Sequence, residues 1–156
     1  MPNLFAVALM SWGTRQPRAW FSSEVDRTGL TADAGSVLVV DDDRGVRRLT
    51  ARMLRTAGYR VLEAESGPEA LRTLESDPAI RLVVTDIVMP EMDGLALADQ
   101  ALARTPDLRV VLMTGHAPEL TAQLDLRDSP IPVLLKPFTA EELLGKVRET
   151  LAGGSH

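Results

Sequence analysis

The stretch VLVVDDDRG at residues 37–45 runs four apolar side chains straight into three carboxylates. An unbroken valine and leucine run bounded by a polar turn reads as a strand buried on both faces. The acids that follow are costly neighbours. Two like charges about 5 Å apart, at an effective dielectric of about 20, repel by roughly 3 kcal/mol. A chain that crowds negative charge at the end of a buried strand needs something to offset it.

From Ser36 onward, short β-branched runs recur at Val37–Val40, Arg60–Glu63, Leu82–Asp86, Arg109–Met113 and Val133–Leu135, with longer amphipathic stretches between them. The first helix stripes Val46, Leu49 and Met53, with Leu54 alongside, between an Asp43 N-cap and Gly58 just past its end. Ser66-Gly67-Pro68-Glu69 opens the second as a capping box with proline in the first turn. The third follows Asp93-Gly94, stripes Leu95, Ala98 and Leu102, and stops at Pro106. A fainter pattern covers Pro118 to Leu126. The last helix starts at Thr139, with Glu142 completing another capping box, and runs through Leu143, Leu144 and Val147. Strands alternating with helices over about 115 residues predict an α/β domain, a parallel sheet covered on both faces.

In such sheets ligands bind beyond the carboxyl ends of the strands. Strand one ends in Asp41, Asp42 and Asp43, strand three in Asp86, strand four in Thr114-Gly115 and strand five in Lys136-Pro137. If these strands are neighbours, their polar groups converge on one edge. A hard divalent ion with oxygen ligands would relieve the repulsion there. Magnesium suits a shallow, partly hydrated site of one or two carboxylates that also handles phosphate. A lysine and a hydroxyl nearby suit the remaining oxygens of a phosphoryl group. Helix capping accounts for Asp43, which stays outside this set.

The bulk properties narrow the classes. With 156 residues the chain is long enough for one domain with a sizeable core. It has no cysteine, which excludes disulfides and thiolate metal sites, and two histidines are too few for a typical zinc centre. A net charge of −5 argues against a nucleic-acid surface and an anionic membrane. The apolar run LFAVALM near the start is seven residues long, too short to span a bilayer, so a cytoplasmic location is expected. Residues 1–35 carry Phe5, Trp12, Trp20 and Phe21 without a sustained period and read as an extension, with a docking arm as the alternative. The domain is expected over residues 36–151, with 152–156 as a tail.

VLVVDDDRGVRRL, LVVTDIVMPEMDGL, VVLMTGHA and VLLKPFTAEEL together resemble the receiver domain of two-component response regulators, over roughly Ser36 to Leu151. The resemblance implies a flavodoxin-like doubly wound (βα)5 sandwich with strand order 2-1-3-4-5. It implies that Asp86 is the phosphoacceptor, attacking a phosphohistidine to form an aspartyl phosphate. It also implies Mg2+ held by Asp42 and Asp86, by Asp41 directly or through water, and by the backbone carbonyl of Val88. Lys136 is then expected to pair with the phosphoryl oxygens, Thr114 to turn its hydroxyl onto them, and Gly115 to offer its backbone N–H. A cis Lys136-Pro137 peptide is expected as well. Val88 and His116 stand where the family flanks the path of the hydrolytic water.

The partner implied is a sensor histidine kinase or histidine phosphotransferase, with no nucleic acid and no membrane insertion. The chain is expected to be a signalling module, catalysing only its own phosphorylation and slow dephosphorylation. One departure is Val133, three residues before the lysine, where many members carry an aromatic ring. In that departure the chain resembles stand-alone receivers, or those of hybrid histidine kinases, more than those driving a DNA-binding partner, and five residues follow Leu151. Two other functions compete. VVDDDRG also resembles haloacid-dehalogenase phosphohydrolases, with Asp41 as nucleophile and Asp43 as acid, though that reading leaves Asp86 unexplained. A receiver-shaped binding module that is never phosphorylated is the other.

Overall fold

Val37, Leu38, Val39 and Val40 are all fully buried, as a continuous apolar strand requires when both of its faces are covered. The computed structural model describes residues 35–115 and 130–153. The strands are β1 (Ser36–Val40), β2 (Arg60–Ala64), β3 (Ile80–Asp86), β4 (Arg109–Thr114) and β5 (Val133–Leu135). They form one sheet in the order β2-β1-β3-β4-β5, and every pairing is parallel. This is the doubly wound order expected from the motifs.

The described helices are α1 (Arg44–Thr56), α2 (Gly67–Ser76), α3 (Gly94–Arg104) and α4 (Ala140–Ala152). Helix α2 packs against α3, and α1 packs against α4. Side chains alternate along β1. Leu38 and Val40 therefore enter the α2–α3 core with Ala64, Leu71, Val83 and Leu97, and Val37 and Val39 point the other way. The Pro118–Leu126 pattern, residues 1–34 and His116 lie outside the described residues. Among those described, no helix is long and apolar enough to cross a membrane.

Three local expectations need correction. In α1 the buried residues are Thr50, Ala51 and Leu54, whereas Leu49, placed on the stripe by its apolar character, is 55% exposed. The Thr50 hydroxyl donates to the Val46 carbonyl at 2.8 Å, which satisfies its polar group within the helix and frees it to face the core. Small Ala51 beside it lets the helix approach the sheet. In α2 the box is half formed. Ser66 accepts from the Glu69 N–H at 3.3 Å, but the Glu69 carboxylate accepts from the Glu65 N–H at 2.9 Å, one residue before the cap. In α3 the centre of the buried face is Leu97, Ala98 and Ala101, with Leu95 and Leu102 half-buried at its margins.

Elsewhere the caps match the reading. Asp43 accepts from the Val46 N–H at 3.1 Å, and Gly58 takes φ +102° just past α1. Thr139 and Glu142 exchange both bonds of a capping box at 2.8 and 3.1 Å.

The rotated face of α1 predicts unequal costs. Leu54→Ala should destabilise the full chain by about 3 kcal/mol, since Leu54 is fully buried. Leu49→Ala should change stability by less than about 0.5 kcal/mol. Urea unfolding followed by circular dichroism checks both, and equal losses would restore the original stripe.

Candidate functional site

Register delivers the polar groups to one edge. Val40 pairs with Thr85 across β1 and β3, so Asp41 and Asp86 come level one step further on. Asp86 pairs with Met113 of β4, and Thr114 pairs with Leu135 of β5, which leaves Thr114 and Lys136 at the same end. The Lys136 N–H donates to the Thr114 carbonyl at 2.8 Å, carrying the ladder up to the site. The Lys136-Pro137 peptide is cis, as the resemblance implied.

Behind Asp86 the chain turns closely into α3. The Gly94 N–H donates to the Ile87 carbonyl at 2.8 Å. A Cβ at Gly94 would collide with the carbonyl oxygen of Asp86, so the start of α3 can approach only as glycine. Glu91, in the same loop, holds a left-handed φ of 68°.

The carboxylates differ in their surroundings. Asp41 is fully buried. Its Oδ1 accepts from the Asp43 N–H at 2.9 Å and its Oδ2 from Lys136 Nζ at 3.0 Å. Lys136 Nζ also lies 3.4 Å from Asp86 Oδ1. Asp42 is exposed, and one oxygen from each of Asp41, Asp42 and Asp86 lies within 4.8 Å of the others. Two of the three clustered carboxylates, those of Asp41 and Asp86, therefore share one ammonium.

Burial pushes the Asp86 carboxyl group above its ordinary range. The Lys136 charge opposes that shift, while the charges of Asp41 and Asp42 add to it. Burial disfavours the Lys136 ammonium too, but its bond to Asp41 and the charges of Asp86 and Asp41 outweigh this, so its pKa stands above the usual lysine value.

A donor set made only of oxygens, with excess negative charge and one member facing water, fits a hard divalent cation such as Mg2+. Among the described residues, no histidine or cysteine joins the set to favour a softer ion. Thr114 is buried at the end of β4 and Gly115 is exposed beside it. A Cβ on Gly115 would make ordinary contact with Lys136 Cβ at 3.9 Å, so space alone does not demand glycine there. Val88, two residues past Asp86, is 51% exposed. Asp43 Oδ1 is committed to the α1 cap, and both Asp41 oxygens are engaged, an arrangement unsuited to a phosphohydrolase with Asp41 as nucleophile and Asp43 as acid.

Some of the site's support has no signature in the sequence. Arg47 Nη1 donates to the Asp41 carbonyl at 2.8 Å, yet in RGVRRL it is one arginine among several. The Thr85 hydroxyl donates to the Asp86 carbonyl at 3.0 Å, and nothing marks it among the residues of β3.

A doubly wound parallel sheet with an acidic, lysine-bearing cluster at its carboxyl edge suits a small α/β module that handles phosphate. The chain belongs to the response regulator receiver domain family, whose model matches residues 37–148. It is therefore a phosphoacceptor module of two-component signalling.

It is 37% identical over 120 residues to the response regulator receiver protein CpdR of Brucella abortus, covering 74% of this chain and 95% of that one. It is 41% identical over 115 residues to the C4-dicarboxylate transport transcriptional regulatory protein DctD of Rhizobium meliloti, covering 74% of this chain but only 25% of DctD. Among solved structures it resembles the response regulator TrrA of Thermotoga maritima in complex with Mg2+–BeF, with a TM-score of 0.66 and 31% identity, covering 74% of this chain and 98% of TrrA.

The charge balance predicts opposite effects on the metal-free protein. Lys136→Met leaves the buried Asp41 carboxylate without its ammonium and should cost on the order of 3 kcal/mol. Asp86→Asn should raise the melting temperature at pH 7. A carboxyl group whose folded pKa is raised contributes stability below its unfolded pKa and loses it as pH climbs through the folded value. The advantage of Asp86→Asn should therefore shrink as pH falls below the ordinary carboxylate range. Thermal melts in chelator between pH 3 and pH 7 check the sign.

Proposed function

We propose that Asp86 receives the phosphoryl group, from a phosphohistidine of a sensor histidine kinase or a histidine phosphotransferase. The observation that supports this most is the convergence of Asp41, Asp42, Asp86 and Lys136 at one strand edge, with Lys136 Nζ 3.0 Å from Asp41 and 3.4 Å from Asp86. A carboxylate oxygen of Asp86 attacks phosphorus. The phosphorus–nitrogen bond of the donor breaks as the new oxygen–phosphorus bond forms, and neutral imidazole leaves once it takes up a proton.

Asp41, Asp42, Asp86 and the backbone carbonyl of Val88 would hold Mg2+, whose charge, when bound, offsets that of the phosphoryl oxygens. Lys136 supplies a fixed ammonium for one phosphoryl oxygen, already desolvated and oriented by Asp41. The Thr114 hydroxyl and the Gly115 N–H take the remaining oxygens. On this reading the receiver spans residues 36–151 and works in the cytoplasm, and its only chemistry is its own phosphorylation and slow loss of phosphate. Residues 1–35 and 152–156 stand outside it.

With Mg2+ and acetyl phosphate the chain should gain one phosphoryl group by intact mass, and Asp86→Asn should abolish the gain. Asp42→Asn should weaken Mg2+ binding measured by calorimetry. Labelling that survives in Asp86→Asn and maps to Asp41 would overturn the assignment. Val88, exposed beside Asp86, presents an apolar side chain that cannot orient a water. Val88→Asn should therefore speed dephosphorylation with little loss of labelling, and unchanged decay would mean that this side chain does not guard the phosphorus.

A further inference from the structure

Arg47 has a long flexible side chain on the first turns of a helix, a setting in which arginine is ordinarily solvated. Here its side chain is only 12% exposed. Nη1 donates to the backbone carbonyl of Asp41 at 2.8 Å, and Nε lies 3.4 Å from Glu63 Oε1. Glu63 is in turn held from its other side, with Arg55 Nη1 at 3.1 Å from Oε2. Arg55 itself is tied to β2 by Nη2 donating to the Val61 carbonyl at 3.0 Å. An arginine–carboxylate–arginine chain thus runs from α1 across the end of β2 to the peptide that joins Asp41 to Asp42.

That peptide decides where two carboxylates point. Asp41 faces inward to Lys136 and Asp42 outward to water, and the plane of the amide between them relates the two directions. The Asp41 N–H donates to the Ala64 carbonyl at 3.2 Å, so β2 fixes one side of the residue and Arg47 the other. A planar guanidinium can bind a carbonyl and a carboxylate together, a task a lysine ammonium performs with far less directional control.

We infer that Arg47, clamped by Glu63, is a positioning residue that sets the Asp41–Asp42 peptide in the orientation required for divalent cation binding. The inference rests on the proposed Mg2+ site and adds a supporting residue that touches no ligand atom of that site. Outer hydrogen-bond partners that orient metal ligands are commonly worth about ten- to a hundredfold in affinity.

The sign of the effect separates this role from simple electrostatics. Removing a positive charge near a cation site would by charge alone tighten Mg2+ binding. Loss of positioning weakens it. Calorimetric Mg2+ titration of the full chain should show Arg47→Met binding about tenfold more weakly than wild type. Arg47→Lys keeps the charge, so charge alone predicts no change, whereas positioning predicts a loss only partly recovered. Arg55→Met, which leaves the Arg47–Asp41 bond in place, should bind within about twofold of wild type.

In acetyl phosphate labelling the Arg47 variants should need more Mg2+ for half-maximal rate while keeping most of the rate at saturation. A general loosening of the fold would lower both, and urea midpoints measured alongside show it. If Arg47→Met does not fold, Arg47→Lys decides. Mg2+ affinity that is unchanged or tighter in a folded Arg47→Lys or Arg47→Met overturns the inference while leaving the site itself intact. Failure of the wild-type chain to bind Mg2+ overturns the site, and this role with it.

Discussion

The bond from Lys136 Nζ to the buried Asp41 carboxylate is the interaction on which the rest of the site depends. It joins residues 95 apart in sequence, and in the sheet β3 and β4 lie between their strands. Neighbouring strands are spaced about 4.8 Å apart, so only a long side chain reaching back over the carboxyl edge spans the gap. A fully buried carboxylate without a partner would be neutralised or would destabilise the fold. With its partner it fixes one end of the acidic cluster and holds the ammonium beside Asp86.

That arrangement is incomplete as a charge balance, and the deficit has a direction. One ammonium contacts two of three clustered carboxylates, and Lys136 spends its closest contact on Asp41. Asp86 is left with the longer contact, a buried setting and two acidic neighbours, which is why its pKa rises instead of falling. The fold carries this excess because packing elsewhere is ample. β1 is sealed on both faces, Gly94 lets α3 close against the Asp86 backbone, and helix caps absorb Asp43 and Asp93. Negative charge is concentrated where a cation and a phosphoryl group can use it.

Much of the fold was legible because strand burial and helix capping are local properties. A continuous valine run, a proline after α3 and a serine or threonine cap each act within a few residues, and the elements fell where those signals stood. The faces of the helices were less legible. Which side of α1 meets the sheet depends on what lies opposite, and Thr50 and Ala51 pack there because one satisfies its own hydroxyl and the other is small. Hydrophobicity alone favours Leu49 and misplaces the face. The capping box of α2 stayed half formed for a similar reason, since Glu69 found the Glu65 N–H within reach and no pattern distinguishes one backbone donor from the next.

The same division runs through the site. The convergence of Asp41, Asp42, Asp86 and Lys136 was legible because each is charged and stands at a strand end, where the parallel sheet brings distant segments together. Arg47, Thr85 and Gly94 act on backbone carbonyls of the first group. A backbone carbonyl has no residue identity, so no residue pattern announces which side chain binds it or which Cβ would strike it. A charged side chain that is nearly buried on a surface helix, with one hydrogen bond to the backbone of a site residue, is the structural mark of that hidden layer. Arg47 carries that mark, whereas Arg55, tied to the same Glu63 but 49% exposed, does not.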